Sequence, residues 1–213
     1  PQTRLLYLCS PNNPTGSILT QPQLDAIMDG LPDHVLVVAD EVYNHFVTQS
    51  DYANSFEYVQ NGRNLIIVHS FSKVFGLAGL RLGYAIAPAE IAQYLSRARL
   101  PFHLNKLALV GGVAGLQDRD HIEETVSLVV AGREQLYTAM QEIPGIEVWA
   151  TQANFLLFKP EDDAKEIAAQ LQQRGTIVRE LSGFYLPGYL RVSVGQPEEN
   201  ERFVRDLTAV LTP

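Results

Sequence analysis

Four lysines occur in the 213-residue chain, and one of them, Lys73, stands inside the stretch HSFSKVFGLAGLRLG at residues 69–83. A lysine amine attacks carbonyl carbon when aromatic or apolar neighbours desolvate it and lower its pKa. Phe71 and Phe75 flank Lys73 in that manner. Ser70 and Ser72 offer hydroxyl donors, and Arg81 offers a guanidinium capable of a two-pronged contact, which together suit a phosphate. Gly76 and Gly79 let a backbone approach a bound group closely. Taken by itself, the stretch also reads as a tight turn with a surface lysine, and GLAG alone is a weak signal. Two further motifs weigh against that plain reading. In VVADEVY, Asp40 and Glu41 follow four apolar residues at a strand end. Carboxylates are seldom buried without a partner, and the C-terminal edge of an α/β sheet is where ligands bind. Asp40 there either caps a turn or pairs with a cation, and Tyr43 adds a phenol nearby. In PNNPTG, Asn13 precedes Pro14 in a turn, where a cis bond would aim its side chain in a fixed direction.

The elements needed to position these groups are legible in the pattern. LLYLCS, HVLVVADE, NLIIVHS and LGYAIA are predicted strands. Continuous apolar runs of this kind suit a mainly parallel sheet buried on both faces. Thr20 with Gln23 predicts a capping box opening the helix that follows. Pro88 starts another helix, and NKLALVGGVAGLQD and HIEETVSLVVAGREQLYTAMQEI carry apolar residues at helical intervals. Gly111 and Gly112 either weaken the first of these or allow close packing. Beyond Pro144 and Gly145 the rhythm changes. IEVWA, ANFLLFK, TIVRE and YLRVSVG read as strands, with a helix stopped by Gly175 and a closing amphipathic helix. The expected division is 1–118 for a large α/β domain and 119–213 for a linking helix and small α/β domain.

Composition narrows the function. The net charge of −8 argues against nucleic acid or an anionic membrane as main partner. The single cysteine, Cys9, excludes an internal disulfide, and the five histidines never take metal-ligand spacing. No metal is expected, no apolar run is long enough to span a membrane, and a cytoplasmic setting is expected. Other residues are ordinary for a soluble globular chain, at 46% hydrophobic and 19% charged.

In chain order the sequence gives an Asn loop, a strand-end Asp, a Lys after the next strand, and an Arg eight residues later. SPNNPTG, ADEVY and HSFSKVFGLAGLRLGY in this order resemble the pyridoxal-phosphate-dependent aminotransferases of class I/II, fold type I. PFHLNKLAL, ANFLLFK and YLRVSVGQPEEN resemble the histidinol-phosphate aminotransferase branch. The resemblance implies that Lys73 forms a Schiff base with the cofactor and then shuttles a proton. It implies that Asp40 pairs with the pyridinium nitrogen, that Asn13 and Tyr43 bond the phenolic oxygen, and that Ser70, Ser72 and Arg81 hold the phosphate. Arg191 would grip the substrate α-carboxylate, with Asn154 near it. The implied reaction moves an amino group between an L-amino acid, histidinol phosphate-like or aromatic, and a 2-oxo acid, in a homodimer. A threonine-phosphate decarboxylase-like enzyme and a non-catalytic remnant of the same fold are the alternatives. Family members carry a further N-terminal portion ahead of the NPTG strand. The expectation is therefore a truncated chain with part of its phosphate cup and the cover of one sheet edge supplied elsewhere.

Overall fold

The computed structural model describes residues 2–212. In chain order the elements are β1 (Leu5–Cys9), α1 (Gln21–Gly30), β2 (Leu36–Asp40), α2 (Ser55–Gln60), β3 (Leu65–Ser70), β4 (Gly83–Ile86), α3 (Ala89–Ala98), α4 (Lys106–Gln117), α5 (Arg119–Gln141), β5 (Ile146–Val148), β6 (Phe155–Pro160), α6 (Ala164–Gln173), β7 (Arg179–Glu180), β8 (Leu190–Ser193) and α7 (Pro197–Leu211). They fall into two compact units, one running to Pro11 and resuming over Ile18–Glu124, the other made of Asn12–Ser17 and the chain from Thr125 onward.

The first unit is built on a sheet ordered β1-β2-β3-β4. The first three strands are parallel, with Cys9 opposite Asp40 and Asp40 opposite Val68. Parallel register brings all three C-terminal ends to one edge, so Asp40 and Ser70 leave the sheet side by side. The helix α1 packs Leu24 and Met28 against Val37, Ala39, Leu65 and Ile67, and its N-terminus carries the expected box, with Thr20 N donating to Gln23 Oε1 at 2.9 Å. β4 runs antiparallel to β3. The physical reason is the connection: residues 71–82 contain no crossover helix, only a single 3-10 turn at Ala78–Leu80, and Phe71 N donates to Leu82 O at 3.1 Å, which folds the chain straight back. β1 forms one edge of this sheet, with Leu5 and Tyr7 exposed.

The second unit has an antiparallel sheet ordered β5-β6-β8-β7. Its core gathers Leu156 and Phe158 of β6 with Leu190 of β8, Leu136 and Met140 of α5, Leu171 of α6, and Phe203 and Leu207 of α7. α7 contributes Phe203, Leu207 and Val210 at spacings of four and three, the stripe of an amphipathic helix. Gly175 follows α6 at φ +81°, ending the helix as its sequence predicts. TIVRE is strand over Arg179–Glu180 alone.

Asp206 ties α7 to the turn after α6. Thr176 Oγ1 donates to Asp206 Oδ2 at 2.6 Å, and Arg202 Nε lies 3.5 Å from the same oxygen. The Thr176 hydrogen bond, seconded by the Arg205 and Arg202 charges, holds the Asp206 carboxyl below the usual carboxylate value. A carboxylate favoured in the fold stabilises it above the unfolded pKa, and that contribution disappears as pH falls through the lowered folded value. Asp206→Asn is therefore expected to lower the melting temperature at neutral pH, with the difference from wild type shrinking once pH drops below about 4. Thermal melts across pH check this.

Candidate active site

The site residues of the first unit stand on the edge where β2 and β3 end. Asp40 closes β2, and its Oδ1 accepts from Val42 N at 3.3 Å, which keeps the carboxylate turned over the strand end. Tyr43 follows in a buried turn. Ser70 closes β3, and its Oγ accepts from Ser72 N at 3.0 Å. Lys73 comes next, with Nζ 4.9 Å from the centroid of the Tyr43 ring. An ammonium over an aromatic face is attracted by the ring quadrupole. The aromatic group beside this amine is thus Tyr43. Phe71 and Phe75, expected to flank it, are buried against one another at 4.8 Å between ring centroids. Arg81 takes a left-handed φ of 52° and donates Nη1 to Ala78 O at 2.7 Å, with its guanidinium exposed. The structure thus brings Asp40, Tyr43, Ser70, Ser72 and Lys73 to one sheet edge and places Arg81 on the loop that returns to it. Gly76 has the positive φ that favours glycine, whereas a Cβ at Gly79 would meet nothing within 4 Å. No protein atom crowds position 79.

α4 supports this loop from behind. A Cβ on Gly112 would stand 2.4 Å from Leu82 Cδ2 and 3.6 Å from Phe71 Cζ, and one on Gly111 would stand 2.8 Å from Leu80 Cδ1. The glycines allow the helix to dock on the residues around Lys73, which decides between the two roles open for them in the sequence. The other face of α4 presents Leu107, Val110, Val113 and Leu116 to solvent, Leu107 at 76% exposure.

A polar bridge joins the residue after Asp40 to the residue before Ser70. His69 Nε2 is 3.2 Å from Glu41 Oε2, and His69 Nδ1 is 2.9 Å from Tyr84 Oη. The side chains of His69 and Glu41 are 13% and 10% exposed. Asn44 Nδ2 lies 3.4 Å from His69 Nε2. Burial pushes the Tyr84 phenol up and the His45 imidazole down, the latter helped by the charge of His69.

The second unit holds Asn13, Asn154 and Arg191. Arg191 Nη1 donates to Asn13 Oδ1, and its guanidinium carbon lies 4.9 Å from the Phe155 ring centroid. With Oδ1 so engaged, Asn13 presents Nδ2 as a donor. Asn154 lies beside Phe155 at the start of β6, where its carbonyl accepts from Val194 N at 3.0 Å. The Asn13–Pro14 bond is cis. The turn is closed by Gly16 N donating to Asn12 O at 2.7 Å and is pinned by Gln152 N donating to Gly16 O at 2.8 Å. Gly16 takes φ +74°, and a Cβ there would fall 1.8 Å from Thr151 Oγ1 and 2.5 Å from Thr151 Cβ. Gly16→Ala is expected to destabilise the second unit by about 2 kcal/mol or more, from left-handed strain plus overpacking. Gly30→Ala, with nothing within 4 Å, is the control. Denaturant unfolding measures both.

Two residues emerge from the structure that sequence reading left as strand positions. Arg179 is directly opposite Arg191 in the β7–β8 pair, so two guanidinium groups share one face of the sheet. Like charges directly opposite are destabilising unless an anion relieves them. His69 emerges as the bridge just described. Neither is visible without strand register.

The model of the family described as aminotransferase class I and II matches residues 1–207. The histidinol-phosphate aminotransferase of Moorella thermoacetica is 43% identical over 212 residues, which cover 99% of this chain and 55% of that protein. Histidinol-phosphate aminotransferase 1 of Nitrosococcus oceani is 40% identical over 210 residues, covering 99% and 56%. Among solved structures, the histidinol-phosphate aminotransferase from Sinorhizobium meliloti in complex with pyridoxal-5'-phosphate superposes with a TM-score of 0.87 at 26% identity, covering 98% of this chain and 57% of that one. The chain spans about half the length of the curated relatives it matches.

Proposed function

Because the chain belongs to the class I and II aminotransferase family, we propose that it carries the lysine, ring-binding and carboxylate-binding residues of a pyridoxal-phosphate-dependent aminotransferase. The reaction is amino-group transfer between an L-amino acid of histidinol-phosphate or aromatic type and a 2-oxo acid. The observation that carries this reading is the Lys73 amine held over the Tyr43 ring, on the loop that leaves the strand paired with the one Asp40 ends.

The donor set fits the cofactor: one half-buried amine, one strand-end carboxylate and two hydroxyls along a single sheet edge, with a guanidinium on the loop that returns to it. Pyridoxal phosphate, when bound, supplies an aldehyde and a protonated ring that acts as an electron sink. Lys73 would provide the amine for that aldehyde and would carry the proton at the substrate Cα. Asp40 holds the proton on the ring nitrogen. Tyr43 would donate to the phenolic oxygen, and the family resemblance gives Asn13 Nδ2 the same role. Ser70, Ser72 and Arg81 hold the phosphate. Arg191 takes the substrate α-carboxylate, a charge-assisted and two-pronged contact, and Asn154 lines that end. Arg179 supplies a second cation on the same sheet face as Arg191, which favours a donor bearing a phosphate ester over an uncharged one.

The exposed apolar face of α4 supports a second copy of the chain as partner, since faces of this kind are rarely left to water; sedimentation equilibrium reads that association. No helix among the described residues is long and apolar enough to cross a membrane, and the cytoplasm is the compartment that fits this chemistry. The test of the function is direct. Pyridoxal phosphate is added, the adduct is reduced with borohydride, and the labelled peptide is mapped. Label on Lys73 supports the assignment, and label confined to other lysines overturns it. Product analysis with an amino donor then separates transfer, which yields the oxo compound, from decarboxylation, which yields an amine and carbon dioxide.

A further inference from the structure

We propose that His69 is a positioning residue that fixes the separation between Asp40 and the Ser70–Lys73 turn by clamping Glu41 to Tyr84. The inference rests on the cofactor role proposed for Asp40 and Lys73. Its geometric half stands without that role.

The need for a clamp follows from where the backbone ladder stops. Strands β2 and β3 are joined as far as Glu41 N, which donates to Val68 O at 3.0 Å. Beyond it one chain turns into the Tyr43 loop and the other into the Lys73 loop. Glu41 directly follows Asp40, and His69 directly precedes Ser70. Their side-chain contact at 3.2 Å therefore joins the two loops just past the last ladder bond. The far nitrogen of the same imidazole, 2.9 Å from Tyr84 Oη, reaches β4, where Ser70 is opposite Gly83 two residues after Arg81. One ring thus ties the carboxylate strand, the lysine strand and the strand that follows the guanidinium. With both nitrogens engaged, the ring orientation is set, and Tyr84 also meets it edge-on at 5.2 Å.

Energetics point the same way. A buried carboxylate–imidazole pair forfeits the hydration of both groups, and apolar residues of equal size often stabilise a fold as well or better. Stability alone does not explain this pair. Geometry at a site intolerant of displacement does, because misplacement of reacting groups by about 1 Å costs on the order of a hundredfold.

Three variants of the full chain test the clamp. His69→Phe keeps a ring in the space but removes both hydrogen bonds. His69→Gln restores a donor towards Glu41. Tyr84→Phe cuts the far end alone. The first readout needs no cofactor: amide hydrogen exchange at Val42, bonded to the Asp40 carboxylate, and at Ser72, bonded to Ser70 Oγ. The second is titration with pyridoxal phosphate, read by visible-range circular dichroism of the bound ring. His69→Phe is expected to speed exchange at these two amides by about tenfold and to weaken binding by about tenfold. Most of the dichroism goes with it, His69→Gln recovers most of the loss, and Tyr84→Phe falls between. Wild-type exchange and dichroism in His69→Phe overturn the proposal. So does faster exchange spread evenly over the whole sheet in both His69 variants, which marks a general loss of stability. If His69→Phe does not fold, Tyr84→Phe carries the test, and unchanged exchange at Ser72 with unchanged dichroism overturns it. Absence of a Lys73 adduct in the wild type defeats the cofactor role instead, and leaves the exchange experiment to decide the clamp.

Discussion

Lys73→Ala is expected to remove the borohydride-reducible adduct and, under the proposed function, to lower amino-group transfer by more than about a thousandfold, the scale for one side chain serving as both nucleophile and proton carrier. The chain contains its own control. Lys159 Nζ also lies over an aromatic face, 5.6 Å from the Tyr189 centroid, but Lys159 is exposed and Lys73 is half-buried. Cation–aromatic contact is thus common to both lysines. What sets Lys73 apart is its place on the loop leaving β3, next to the end of the strand that carries Asp40. Lys159→Ala is accordingly expected to leave both adduct and rate unchanged. Lys73→Ala retains Ser70, Ser72 and Arg81, so the cofactor is expected to bind reversibly and to be removed by dialysis. Absorbance after dialysis, with peptide mapping of the reduced protein, measures the difference. Adduct yield unchanged in Lys73→Ala defeats the assignment.

The second large effect belongs to Arg191. Arg191→Leu is expected to raise the KM for the amino donor by roughly 10- to 100-fold, the range of a lost charge-assisted hydrogen-bond pair, while the Lys73 adduct still forms. Arg191→Lys is expected to recover little. The side chain simultaneously lies along Phe155 and donates to Asn13, and a lysine lacks the planar fork to keep that bond and grip a carboxylate as well. Arg179→Ala separates the two cations: its effect should fall on a phosphorylated donor and spare an unphosphorylated analogue. Steady-state kinetics with both donors reads all three variants. An unchanged KM in Arg191→Leu places the carboxylate elsewhere.

Much of this arrangement was legible from residue order, for a physical reason. Strand-end motifs such as ADEVY and HSFSK report themselves, because an apolar run must stop where the chain leaves the sheet, and polar residues just past that point are at the ligand edge. The helix starts at Thr20 and Pro88 and the stop at Gly175 were equally local, written in capping chemistry. What escaped was everything that depends on register. The antiparallel sense of β4 follows from a connection too short in structure to cross over, and the pattern LGYAIA does not carry that information. Arg179 opposite Arg191, and His69 between Glu41 and Tyr84, are pairings across strands distant in sequence. The two phenylalanines around Lys73 misdirected the reading in an instructive way. Four residues apart, they pack on each other, while the ring that meets the amine comes from thirty residues earlier.

The turn at Asn12–Ser17 groups by packing with residues beyond Thr125, although the chain on both sides of it belongs to the first unit. Neither unit is therefore one continuous piece of polypeptide. A cut near Glu124 would yield a C-terminal fragment in which Thr151 has lost Gly16 and Arg191 has lost Asn13, so limited proteolysis there should not release an intact folded body. Three covalent crossings, at residues 11–12, 17–18 and 124–125, make the two units inseparable by any single scission. In an evolving gene, that braid resists the shuffling of either portion as an independent module.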